Sequence, residues 1–127
     1  MLMAEAERAR RNAYAPYSRF SVGAALLTAG GRIVSGCNVE NASFGLSICA
    51  ERNAVFRAIG EGERDFVAIA VTAGPGQIAS PCGSCRQVLH EFAPGMWVYW
   101  RARGRVEKKR LRALLDHAFD FKTAKAR

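Results

Sequence analysis

The stretch FVAIAVTAG (residues 66–74) is apolar at almost every position, too short for an ordinary helix and too uniform for a strand with one wet face. A continuous apolar run of strand length belongs in the middle of a sheet with both faces covered, so helices are expected on each side of it. The flanking sequence supplies them. Upstream, SICAERNAVFRAIG (residues 47–60) sets Ala50, Ala54, Val55, Ala58 and Ile59 at intervals of three and four, with Gly60 and Gly62 to end the helix. Downstream, CGSCRQVLHEFA (residues 82–93) repeats the pattern and closes near Pro94 and Gly95.

Further out, FSVGAALLTAGGRIVSGCNV (residues 20–39) reads as a hairpin turning at Gly30 and Gly31. Residues 2–12 form a modest amphipathic helix ended by Pro16. MWVYWRA (residues 96–102) is a fourth strand, GRVEK (residues 104–108) a fifth short one, and KKRLRALLDHAF (residues 108–119) a final helix. The expected fold is α/β, a three-layer α/β/α sandwich on a mixed sheet of about five strands, built by residues 1–127 as a single domain.

The formal net charge of +8 invites a nucleic-acid reading, but its location tempers that. Residues 20–100 carry five basic and six acidic side chains, whereas residues 101–127 carry ten basic and three acidic. Single-strand binders interleave cations with exposed aromatics, and RARGRVEKKRLR (residues 101–112) holds no aromatic residue. Charges interrupt the opening MLMAEAERARRNAY where a signal peptide needs an apolar run, and no later run approaches a membrane span of ~20 residues. A cytoplasmic protein without a membrane partner is expected, and its four cysteines should then remain thiols.

Cys82 and Cys85 are three residues apart, so on a helix their sulfurs lie about 60° apart around the axis and can grip one ion. Alone, this pair fits a redox couple or two packed thiols equally well. Cys49, which opens another helix, adds a third sulfur. Helix N-termini favour thiolates, and soft sulfur donors select zinc over magnesium or calcium. A fourth thiolate would close the coordination sphere and make a structural site; three leave a position for water. Strand alternation puts Cys37 with Ile33, Ser35 and Val39, and Asn38 and Glu40 on the other face with Val34 and Gly36. If Asn38 and Glu40 line a pocket, Cys37 points away from it.

Glu51 stands two residues after Cys49, a 200° rotation that splays the two side chains around the helix mouth. A first-turn glutamate favours the helix dipole in any protein. Beside a zinc site it can also exchange a proton with a metal-activated water. Three thiolates on Zn²⁺ leave a net charge of −1, and Arg52 could offset it by donating hydrogen bonds to sulfur, unless it is simply a solvated arginine.

CAE followed by PCGSC is the cysteine version of the zinc-deaminase signature. With YAPYSRFSVGAAL, GCNVENAS, CAERNA and PCGSCRQVL in order, the chain from about Tyr14 to Phe119 resembles the small homotetrameric cytidine deaminases. The resemblance implies one Zn²⁺ per subunit on Cys49, Cys82 and Cys85, with Glu51 as proton shuttle. It implies that Asn38 and Glu40 hold the ribose 3'-hydroxyl, that Phe20 lines the pyrimidine pocket, and that Phe119 reaches a neighbouring subunit's base. The implied reaction is hydrolytic deamination of cytidine and 2'-deoxycytidine to uridine and 2'-deoxyuridine, a step of pyrimidine salvage. Two positions depart from the pattern: Phe44 stands where tyrosine is frequent, and Asp116 where proline usually precedes the Ala-Phe pair. His90 and His117 fall outside the ligand motifs and read as ordinary helix residues.

Three other readings remain. A deaminase of polynucleotides would suit the charge, but Glu40 beside a 3'-hydroxyl would repel the phosphate a polymer carries there. A blasticidin-like antibiotic deaminase keeps the chemistry with another substrate. A non-enzymatic zinc-stabilised interaction protein would need Cys37 as a fourth ligand.

Overall fold

The computed structural model of the chain describes residues 1–121. Its elements run α1 (Leu2–Arg10), β1 (Gly23–Thr28), β2 (Ile33–Cys37), a 3-10 turn (Phe44–Leu46), α2 (Ala50–Gly60), β3 (Phe66–Thr72), α3 (Gly83–Phe92), β4 (Trp97–Ala102), β5 (Arg105–Arg110) and α4 (Leu111–Leu114). One five-stranded sheet has the order β2-β1-β3-β4-β5, with β3 and β4 parallel and the other neighbours antiparallel. The apolar run supplies its central strand, β3. Ile69 and Val71 point to one face and pack with Ala54, Val55 and Leu89; Ala70 points to the other and packs with Ala6 and Ala25. Thus α2 and α3 cover one face, α1 covers the other, and the expected three layers are present.

Two glycines on adjacent strands let the helices approach this closely. A Cβ on Gly23 would lie 2.1 Å from the Ala6 carbonyl oxygen of α1, and one on Gly36 would lie 2.5 Å from the Ala54 amide nitrogen of α2. Because the atoms in the way are main chain, neither clash is relieved by a rotamer change. Gly36→Ala should therefore destabilise the protein by about 3 kcal/mol or more, read as a lower urea midpoint at unchanged slope. A midpoint within error of wild type would show that α2 is free to move off the sheet.

The C-terminal part differs from expectation. The fifth strand runs to Arg110, pairs with β4 over its whole length, and turns through Arg103 and Gly104, both at positive φ (51° and 83°). Such a pair of left-handed residues makes the tight hairpin turn that matches strand twist. Lys108 and Arg110 lie over the Trp97 ring at 4.1 and 4.0 Å, so cations that read as a helix surface instead cover a strand face. In place of the helix expected over residues 108–119 stands the four-residue α4, where Leu111 is fully buried. His117 is not a helix residue as expected but sits in a turn with φ of 51°. His90 lies within α3. Among the described residues no helix is long and apolar enough to cross a membrane.

Candidate metal and nucleoside site

Cys49 and Cys82 occupy equivalent places, each the N-cap of a helix in extended conformation, with φ/ψ of −71°/156° and −68°/168°. Serine or aspartate at an N-cap normally turns back onto its own helix. Neither cysteine makes that bond, and the two sulfurs face each other at 3.9 Å. Cys85, one turn into α3 and fully buried, completes the group, with all three sulfurs within 4.8 Å of one another. Tetrahedral zinc with Zn–S bonds of about 2.3 Å sets its sulfurs about 3.8 Å apart, so the donor set fits that ion in number, softness and spacing.

The electrostatics agree. Cys49 is pulled down to about 5, first by the hydrogen bond Cys85 can give it and then, against burial, by Arg52. Cys85 moves up for the converse reason, since its proton is what holds the Cys49 anion, and burial adds to this. A sulfur cluster that favours an anion this strongly favours a cation among its members. Cys37 is not part of the group. Half-buried at the end of β2, with its thiol pushed up by burial, it leaves a three-sulfur site.

Arg52 donates from Nη2 to Cys49 Sγ at 3.4 Å. Arg52→Met removes that donor, and the expected result is zinc affinity weakened about 10- to 100-fold in a chelator competition, with the fold retained. Affinity unchanged within error would make Arg52 a surface cation only. Asn53, next to it, donates to the Cys37 carbonyl at 2.8 Å and ties the start of α2 to β2.

Beside the sulfurs opens a cleft of about 210 Å³, lined among others by Phe20, Asn38, Glu40, Cys49, Glu51 and Cys82. Glu51 is only 4% exposed. Burial pushes its carboxyl up to about 7, and the anion on Cys49 adds to the shift while Arg52 opposes it. A carboxyl that changes charge near neutrality, at the wall of a cleft, can both take and return a proton.

Asn38 and Glu40 reach the same cleft from the segment after β2. Asn38 Oδ1 accepts from the Val22 amide at 2.8 Å, and its Nδ2 donates to the Phe20 carbonyl at 2.7 Å. Glu40 Oε1 accepts from the Tyr17 and Ser18 amides at 3.0 and 3.1 Å, and Oε2 accepts from the Ser18 hydroxyl. These bonds hold the Glu40 carboxyl below the usual carboxylate range, the Ser18 hydroxyl first among them. Phe119 is apart from the cleft of its own chain: its ring is 63% exposed, and its carbonyl accepts from Gln87 of α3 at 2.9 Å. Phe44 is 73% exposed and packs edge to face with Tyr17 at 5.9 Å.

Two residues that sequence reasoning passed over also belong to this region. Ser18 supports Glu40. Arg86 bonds the Pro81 carbonyl at 2.7 Å and the Leu114 carbonyl at 2.6 Å, fixing the backbone just ahead of Cys82. Glu40 and Leu114 are distant in sequence from these residues, and the nearer bond of Arg86 goes to a main-chain carbonyl, so no local spacing of side chains signals either role.

A sequence model of one family, described as the cytidine and deoxycytidylate deaminase zinc-binding region, matches residues 1–101. The cytidine deaminase of Sporosarcina psychrophila is 48% identical over 120 residues, 93% of this chain and 88% of its own. That of Halalkalibacterium halodurans is 57% identical over 94 residues, covering 74% and 71%. The crystal structure of cytidine deaminase from Burkholderia pseudomallei superposes with a TM-score of 0.87 at 47% identity, covering 93% of this chain and 96% of that one. The chain belongs to the cytidine and deoxycytidylate deaminase family. Within it, the chain is of the small bacterial cytidine deaminase type, with Cys49, Cys82 and Cys85 as the zinc-binding triad.

Proposed function

We propose that this protein hydrolyses cytidine and 2'-deoxycytidine to uridine and 2'-deoxyuridine, releasing ammonia. The observation that carries the reading is the buried Glu51 carboxyl, poised near neutrality in a cleft whose wall includes Cys49 and Cys82 of the three-sulfur cluster. Zinc held there by Cys49, Cys82 and Cys85 would supply an acidified water at neutral pH. Glu51 would take up one proton from water as oxygen is added at C4, and hand it to N3 of the ring. It then conveys the second proton of the water to the exocyclic amine. The C4–N bond can break because neutral ammonia leaves in place of an amide anion.

Phe20 gives the flat base an apolar wall. Asn38 and Glu40 face the sugar, where an ionised carboxylate accepts from a free hydroxyl and repels a phosphate ester at the same place. That repulsion favours free nucleosides over polynucleotides, and a sugar-directed pair favours them over an aminonucleoside antibiotic. Three sulfurs rather than four favour catalysis over a purely structural zinc site.

We further infer a homotetramer with sites shared between subunits. Tyr17, Phe44 and Leu46 are 49%, 73% and 66% exposed, and Phe119 is exposed as well, which supports contacts of these side chains with neighbouring subunits. The four free thiols suit the reducing cytoplasm. The test is product formation from a panel of nucleosides, nucleotides and oligonucleotides. Turnover confined to cytidine and deoxycytidine supports the reading; turnover of oligonucleotides, with nucleosides inert, would replace it with an editing enzyme.

A further inference from the structure

The segment from Tyr17 to Val22 has no regular secondary structure, yet its conformation is closely determined. Asn38 bonds the Phe20 carbonyl and the Val22 amide; Glu40 bonds the Tyr17 amide, the Ser18 amide and the Ser18 hydroxyl. Inside this frame Arg19 takes a φ of 59°, a left-handed conformation that an arginine adopts only where its surroundings impose it. The turn it makes delivers Phe20 to the cleft.

The direction of each bond can be assigned. The Phe20 amide donates to Ser18 Oγ at 3.0 Å, so the hydroxyl is an acceptor there and its own hydrogen goes to Glu40 Oε2. An ionised carboxylate offers about four acceptor sites, two on each oxygen. The two amides fill Oε1, and Ser18 takes one site of Oε2. Among the described residues nothing else bonds Oε2, which leaves one site, room for a single further hydroxyl.

We propose that Ser18 is a positioning residue for specificity: it aims the last acceptor site of Glu40 at one sugar hydroxyl and, through the Phe20 amide, fixes the aromatic wall in the same act. Sugar recognition and base placement are then one event, and a substrate lacking the hydroxyl loses more than a hydrogen bond. This rests on Glu40 reading the sugar in the proposed reaction.

The test compares 2'-deoxycytidine with 2',3'-dideoxycytidine, which differ only in the 3'-hydroxyl, on zinc-loaded wild type, Ser18→Ala and Ser18→Thr. Wild type should prefer the deoxynucleoside at least about 30-fold in kcat/KM, as expected for a hydrogen bond to a charged group. In Ser18→Ala that preference should fall below about 3-fold, through a KM for deoxycytidine raised about 10-fold or more with kcat nearly unchanged. Ser18→Thr keeps the hydroxyl and should keep most of the preference. If the alanine variant does not fold, Ser18→Cys, of similar size with a weak donor, should show the same collapse. A strong wild-type preference that survives intact in the alanine or cysteine variant overturns the role of Ser18 and leaves the sugar-reading role of Glu40 standing. No preference in wild type, with deoxycytidine still deaminated, overturns both.

Discussion

Glu51→Gln should keep its zinc and lose roughly 10²- to 10⁴-fold in the turnover of cytidine, the range that proton transfer by a positioned side chain supplies. Glutamine matches the carboxyl in size and still packs in a place only 4% exposed, so the three sulfurs and the cleft should be undisturbed. What it cannot do is take a proton from water and return it to the ring and the amine. Ammonia release and metal content, read on the same sample, separate this from a general loss of structure.

Stability carries a sign of its own. The folded carboxyl has its pKa raised from an ordinary 4.5 to about 7, so its favourable neutral form is fully present below about 4.5 and is lost as pH rises through about 7. The amide has no such loss. Glu51→Gln should therefore melt at about the wild-type temperature near pH 5 and above it at pH 8. A variant that melts lower at both pH values would mean that the carboxylate is structurally required.

Cys85→Ala should have the second large effect, lowering zinc content below a tenth of wild type and the melting temperature by about 10 °C or more. Cys85 is fully buried in the first turn of α3, and metal binding that links α2 to α3 is part of the free energy of folding. Cys37→Ala is the matched control. Its sulfur is outside the cluster, so it should retain full zinc and full activity. Zinc lost on changing Cys37, or retained on changing Cys85, would put a different set of cysteines around the metal.

Much of this architecture is legible in the sequence because its signals are local. The run at residues 66–74 fixes the buried centre of the sheet, and from that requirement the helices on both faces follow. The spacing of Cys82 and Cys85, with Cys49 at the start of another helix, marks a metal site by residue type and interval alone. Phe20, Asn38, Glu40 and Glu51 do line one cleft, although spacing alone could not have brought Phe20 and Asn38 there.

The C-terminal quarter is less legible, for equally specific reasons. Leu111, Leu114 and Leu115 have helical spacing, but the cations before them are drawn into β5 by Trp97, and only a four-residue helix remains. The same strand pairing places aromatic rings beside basic residues, an arrangement invisible when residues 101–112 are read by themselves. Ser18 and Arg86 act on partners 22 and 28 residues away, and neither residue type announces such a role. Residues 122–127, with part of the basic excess, lie outside the described residues.

The most direct test of a three-sulfur metal site that performs hydrolysis is a zinc titration of chelator-stripped protein, with ammonia release from cytidine followed at each addition. Activity should be absent at the start, rise linearly with bound zinc and reach its plateau at one equivalent per chain. Full activity in the stripped protein, or a fully loaded protein that releases no ammonia, would contradict the account.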